Sequence, residues 1–223
     1  KGVAFAGFEA MEALNDFARD NRLARLTLDL GYGAEAVWEP EPVTVTLGGV
    51  AVPFPSGAFL QATPDGEAAL VSAAREWVGG AAPVADLFAG LGTFGFALAA
   101  QGVKITAYEA ARDAVLAVKG AAGRERAPVE AVHRDLFRNP LQPDELARFD
   151  AVVLDPPRAG AREQVVALAQ SAVPKIAYIS CNPSSWARDA KTLVESGYRL
   201  AELRPVGQFR WSTHVELASL FIR

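Results

Sequence analysis

The chain has 223 residues, 51% of them hydrophobic, with four tryptophans and a formal net charge of −4 at pH 7. That length and apolar share predict one large domain, or one with a smaller appendage, around a sizeable core, and the acidic balance excludes a protein that holds nucleic acid by a bulk basic field. A single cysteine excludes an internal disulfide and cannot build a metal site alone, so no metal is expected and a reducing cytoplasm is the expected compartment. No run of 18 apolar residues and no leader-like start occurs, which predicts no membrane span. The chain opens on Lys1, and an upstream piece is expected to have been removed.

Phe8, Met11, Leu14 and Phe17 recur at helical spacing, and Leu26, Leu28 and Leu30 alternate with polar residues like a half-buried strand. Val43, Val45 and Leu47, then Gly48-Gly49, then Val50 and Val52 predict a hairpin closed by a two-residue turn. These elements predict a small α+β piece over 1–55. The stretch from Pro53 to Gly57, with two prolines, a serine and a glycine, marks the expected boundary with a second unit at 56–223.

From there strands and helices alternate. Thr63-Pro64 is an N-cap followed by proline at the first helical position, and Asp65 and Glu67 favour the positive end of a helix expected to run to Trp77. Strands are predicted at 83–88, 103–108, 129–133, 150–154 and 174–180, and helices at 93–101, 111–121, 161–172 and 184–196. The tail, 198–206 and 214–222, predicts two more strands, the last antiparallel. The expected fold is α/β, a doubly wound, mostly parallel sheet of seven strands.

Four groups of residues can carry chemistry. Asp86 to Gly95 lies between a strand and a helix, with Gly90, Gly92 and Gly95 spaced G-x-G-x-x-G, which lets backbone approach a ligand closely. Glu109, Asp135 and Asp155 each close a predicted strand, so three acids line one edge of the sheet beside the glycine loop. Asp155 is followed by Pro156-Pro157, which holds the chain extended where it leaves the sheet. Cys181, in Ser180-Cys181-Asn182-Pro183, sits at the same edge, at the start of a helix expected to stabilise a thiolate. Glu216, in His214-Val215-Glu216, reaches that edge from the far side; His133 is expected to be structural or exposed.

Phe59-Leu60-Gln61, the Asp86-to-Phe94 loop, Asp155-Pro156-Pro157-Arg158-Ala159-Gly160, Ser180-Cys181-Asn182-Pro183 and His214-Val215-Glu216 together resemble the S-adenosylmethionine-dependent RNA uracil-C5 methyltransferases. The resemblance covers residues 55–223 and implies a class I, Rossmann-like methyltransferase fold, with 1–55 similar to the back half of the family's central domain. It implies S-adenosylmethionine as cofactor, contacted by Gln61, Phe88, Thr93, Glu109, Asp135 and Asp155, with Glu109 on the ribose hydroxyls. It implies Cys181 as the nucleophile that adds to carbon 6 of uracil and Glu216 as the base that removes the carbon 5 proton. The implied partner is RNA, ribosomal in preference to transfer RNA, with no protein partner and a monomeric chain. Two roles stay open for Arg158, contacting phosphate or bracing Cys181, and two for Asp155, orienting the uracil or the cofactor.

Where the family often has Asp-Met-Phe-Pro before the final His-x-Glu, this chain has Gln208-Phe209-Arg210-Trp211. Arg158, Arg162, Arg188 and Arg210 are candidates for a local cationic rim, and Phe209 and Trp211 for either stacking on a base or core packing. Two competing readings are an amine-directed nucleic-acid methyltransferase, which would need no cysteine, and a non-catalytic RNA-binding fragment of the same fold.

Overall fold

The computed structural model describes residues 7–209 and 211–223. Helix α1 (Phe8–Asp20) leads into β1 (Leu26–Asp29), which pairs antiparallel with β2 (Ala34–Trp38). The sequence reading lacks β2, because Ala34, Glu35 and Ala36 are all exposed and leave no alternation to read. Asp29 holds the intervening bend, accepting from the Gly31 N–H at 2.7 Å.

β3 (Thr44–Leu47) and β4 (Val50–Pro53) form the expected hairpin. Gly48 and Gly49 have φ of 57° and 88°, the left-handed pair whose twist suits a two-residue turn. Leu47 and Val52 are buried in the same apolar cluster as the helices that flank the main sheet. The turn lies so close to this flank that a Cβ on Gly48 would stand 2.3 Å from the Phe96 carbonyl oxygen, whereas one on Gly49 would meet nothing within 4 Å. Gly48→Ala is therefore expected to cost about 2–4 kcal/mol of stability and Gly49→Ala about 1 kcal/mol. Urea midpoints compare them; equal midpoints would remove any importance from the close approach.

α2 (Pro64–Val78) begins as predicted: the Thr63 hydroxyl accepts from the Gly66 N–H at 3.1 Å, with Pro64 at the first helical position. Leu70, Ala73, Ala74, Trp77 and Val78 are buried, the i, i+3, i+4, i+7, i+8 stripe of a helix lying on a core.

The main sheet follows: β5 (Val84–Leu87), α3 (Thr93–Ala99), β6 (Ile105–Glu109), α4 (Arg112–Glu125), β7 (Val129–His133), α5 (Pro143–Leu146), β8 (Ala151–Leu154), α6 (Arg162–Gln170), β9 (Lys175–Ser180), α7 (Pro183–Glu195), β10 (Arg199–Val206) and β11 (Glu216–Ile222). The seven strands lie in the order β10-β11-β9-β8-β5-β6-β7. Neighbours from β9 to β7 pair in parallel, and β11 runs antiparallel to both β9 and β10. All four residues of β5 and of β8 are buried, as central strands covered on both faces require. Val84, Ala151 and Val153 face the cluster of α2, α3 and α4, while Ala85, Leu87, Val152 and Leu154 face that of α6 and α7. The direction of winding reverses between β5 and β8, and the crevice beyond their carboxyl ends is where such sheets bind ligands.

Candidate active site

The glycine loop leaves β5 at Phe88, whose φ is 61°, in a region that bulky residues rarely occupy. Its ring packs against Phe137 with centroids 5.2 Å apart. Gly90 and Gly92 also take positive φ, and a Cβ on Gly90 would meet nothing within 4 Å, so open space lies beside this turn. Thr93 opens α3. Glu109 ends β6 and is tied to the loop: its carboxylate accepts from the Gly90 N–H at 2.9 Å and the Ala111 N–H at 2.7 Å, leaving one lone pair on each oxygen. Asp135 lies two residues beyond β7 and folds onto its own turn, accepting from the Phe137 N–H at 3.0 Å. Gln61 precedes α2 and accepts from the Gln208 side-chain amide at 2.8 Å.

Asp155 follows β8 directly, its N–H bonded to the Leu87 carbonyl at 3.2 Å. Cys181 follows β9 and is half-buried. In the β9–β11 ladder Leu217 stands opposite Ser180, so one further step sets Glu216 across from Cys181. His214 lies over Glu216, with Nε2 3.2 Å from its carboxylate. Arg158, Cys181, Asn182, Pro183 and the segment Ser212 to Val215 line a cleft of about 280 Å³.

The electrostatics of this cleft are one-sided. Burial and the charges of Glu216 and Asp86 push the Asp155 carboxyl well above the ordinary carboxylate range. Burial also raises Glu216, with His214 and Arg158 opposing it. The Cys181 thiol is pushed up by burial and by Glu216 and Asp155, against a smaller opposite pull from Arg158. This is the reverse of the thiolate-stabilising effect expected from the helix start, because the two carboxylates and the loss of water outweigh it. The crevice thus favours a cationic ligand, which would relieve repulsion among its acids.

Beneath it lies Asp86, fully buried, accepting from the Gly95 N–H at 2.9 Å. Among the described residues its Oδ1 has no hydrogen-bond partner, and burial lifts its pKa to about 7 from 3.8. The native state therefore keeps this proton over a pH range in which the unfolded chain has released it. Stability attributable to Asp86 is greatest below about pH 4 and falls as pH rises to 7, by about 4 kcal/mol in all. Asp86→Asn is expected to flatten that slope. Comparing denaturant midpoints at pH 5 and pH 8 cancels any fixed cost of seating the amide; an unchanged slope would show that Asp86 does not titrate in this window.

The loop after β8 is pinned by α7. Asn182 caps α7, accepting from the Ser184 N–H at 3.1 Å, while its amide donates to the Arg158 carbonyl at 2.9 Å. The Ser185 hydroxyl donates to the same carbonyl at 3.0 Å. Buried Asp189 accepts from the Ala161 N–H and the Tyr178 hydroxyl, each at 2.8 Å, and pairs with Arg188. Arg188 also donates to the Ala159 carbonyl at 3.0 Å, so it is engaged within the protein rather than forming part of a free rim. Arg158 and Arg162 are exposed, and Arg210 lies outside the described residues. Trp211 is fully exposed and Phe209 half-exposed, edge-on to His214, so neither packs in the core. His133 is exposed, as expected, with Nε2 2.9 Å from the Ala110 carbonyl oxygen. Sequence reasoning missed Phe137, Asp189 and the Gln208 contact; Phe137, two residues past Asp135, carried the only local signal.

Comparison with known proteins gives two family matches: "Methyltransferase small domain" over residues 52–177 and "tRNA (Uracil-5-)-methyltransferase" over residues 137–223. The chain is 54% identical over 215 residues to an uncharacterized RNA methyltransferase of Zymomonas mobilis, covering 96% of this chain and 54% of that protein. It is 31% identical over 222 residues to a 23S rRNA (uracil(1939)-C(5))-methyltransferase of Shewanella piezotolerans, covering 97% and 48%. The chain thus spans about half the length of these relatives. Among solved structures, a Pyrococcus abyssi tRNA (uracil-54, C5)-methyltransferase with S-adenosyl-L-homocysteine superposes with a TM-score of 0.73 at 28% identity, over 87% of this chain and 48% of that one. The seven-stranded sheet is that of the class I methyltransferases, and the chain belongs to the RNA uracil-5-methyltransferase family.

Proposed function

We propose that this chain is the catalytic part of an enzyme that transfers a methyl group from S-adenosylmethionine to carbon 5 of a uridine in RNA, through a covalent bond between Cys181 and the base. The observation that carries this reading is the placing of Cys181 and Glu216 across from each other at the ends of β9 and β11, with Asp155 at the end of β8 near enough for its charge to act on the thiol. An enzyme directed at exocyclic amines has no use for a thiol and a carboxylate facing each other there.

The residues present fit the cofactor. Glu109 retains lone pairs for two hydroxyls, the Phe88–Phe137 pair offers an aromatic surface beside open space, and the acids of the cleft suit a cation. Gln61, Phe88, Thr93, Glu109, Asp135 and Asp155 would hold it. When bound, S-adenosylmethionine supplies the methyl group as an electrophile on a positively charged sulfur.

Carbon 5 of uracil is a weak nucleophile, and the protein's part is to change that. The Cys181 thiol releases its proton to solvent, and Sγ then bonds to carbon 6 and moves the ring's electron pair toward carbon 5. Once carbon 5 carries the methyl group, Glu216 takes the remaining carbon 5 proton, the carbon 5–carbon 6 double bond re-forms, and Sγ leaves. The raised affinity of Glu216 for protons favours that step, and Arg158 offsets the negative charge around the sulfur.

Ribosomal RNA is the proposed substrate, supported by the coverage of nearly the whole chain in its match to the Shewanella enzyme. The test is methyl transfer to ribosomal and transfer RNA, with the product nucleoside identified. Cys181→Ala should lower the rate by at least about 10⁴-fold. A Cys181→Ala variant that still methylates RNA would move the amine-directed reading ahead.

A further inference from the structure

The segment between β10 and β11 is exposed at Gly207, Phe209, Trp211, Ser212 and Thr213. Gln208 is the exception, 8% exposed. Its side chain leaves this segment and lies against the first turn of α2, where Gly66 makes room: a Cβ there would stand 2.7 Å from the Gln208 Cγ.

We propose that Gln208 is a positioning residue that sets how Gln61 faces the cofactor, and so ties cofactor binding to the segment that carries His214 and Glu216. This rests on the reading above, in which Gln61 contacts S-adenosylmethionine. The Thr63 N–H is a backbone donor and donates to the Gln208 Oε1 at 3.2 Å, which fixes the sense of the Gln208 amide. Its Nε2 must then face Gln61, and donates to the Gln61 Oε1 at 2.8 Å. With that oxygen held, the amide of Gln61 is left as a donor for an acceptor on the cofactor. A free glutamine would present oxygen or nitrogen with similar ease; Gln208 removes the choice. The same side chain holds Gln208 against α2, and further along this connection Ser212 to Val215 rim the Cys181 cleft. Cofactor held by Gln61 and base held beneath Glu216 thus share one tether, and linkage makes the coupling reciprocal.

The experiment is calorimetric titration of the RNA-free chain with S-adenosylmethionine, for the parent, Gln61→Ala, Gln208→Leu, Gln208→Glu and the double variant Gln61→Ala/Gln208→Leu. Each single variant is expected to bind about tenfold more weakly, the scale of one oriented hydrogen bond, and the double variant no more weakly than Gln61→Ala alone. Gln208→Glu keeps the volume and an acceptor for the Thr63 N–H but has no donor for Gln61. Read at a temperature where it remains fully folded, it should lose the same affinity because the Gln61 amide turns its N–H toward the new carboxylate, which a merely structural role would not produce. A hundredfold loss in the double variant means independent effects and overturns the coupling, as does parental affinity in Gln208→Glu. Parental affinity in Gln61→Ala overturns the cofactor role of Gln61 and the coupling together.

Discussion

Glu216→Gln is expected to lower turnover by about 10²- to 10⁴-fold while making Cys181 more reactive toward iodoacetamide. The two effects run in opposite directions because Glu216 acts on two partners. As a base it must take the proton from carbon 5, and an amide cannot. As a buried negative charge facing Cys181 it helps to push the thiol pKa up, and an amide of the same shape removes that push, so more thiolate is present at pH 8. With ordinary uridine RNA and S-adenosylmethionine, the variant should accumulate a denaturant-resistant protein–RNA adduct that keeps the carbon 5 proton. Alkylation slower than in the parent, or turnover left intact, would show that Glu216 is not placed as described.

Asp189→Ala is expected to cost about 3–5 kcal/mol, read from chemical denaturation. Asp189 is 1% exposed and ties its own helix α7 to two other elements, the loop after β8 through the Ala161 N–H and strand β9 through Tyr178, while pairing with Arg188 beside it. Alanine leaves the guanidinium and the phenol facing each other with no acceptor between them. Asp189→Asn retains an acceptor for the Ala161 N–H and should lose less. The loop released by the substitution carries Arg158, so activity should fall more than the remaining folded fraction accounts for. A loss under 1 kcal/mol would mean that the loop is held by Asn182 and Ser185 alone.

Much of this site was legible because its parts are local. Strand followed at once by two prolines places Asp155 at an edge, and the helix expected at 184–196 begins in the structure at Pro183, with Asn182 as its cap. The glycine spacing, the helix from Pro64 and the Gly48-Gly49 turn are likewise properties of a few adjacent residues. What escaped depends on which strands become neighbours. Gln208 and Gln61 are 147 residues apart in the chain, and only the docking of the β10–β11 connection on α2 brings them together. Phe88 and Phe137 meet because β5 and β7 both empty onto the same edge. The direction of the Cys181 shift escapes for the same reason: the helix start is local to the thiol, whereas the burial that raises it most, and the carboxylates of Glu216 and Asp155 that add to it, come from the packing of separate strands. The second strand of the β1–β2 hairpin was missed for want of pattern, since its exposed alanines and glutamate carry no alternation.

The measurement that bears most directly on the central claim is covalent trapping on RNA containing 5-fluorouridine, with S-adenosylmethionine present. Fluorine at carbon 5 cannot leave as a proton, so a Cys181 adduct formed on the way to methylation has no route to release. The account predicts a protein–RNA complex that survives denaturation with the parent chain and its absence with Cys181→Ala. A Cys181→Ala variant that traps RNA as the parent does, or a parent that methylates carbon 5 yet forms no complex, would contradict it.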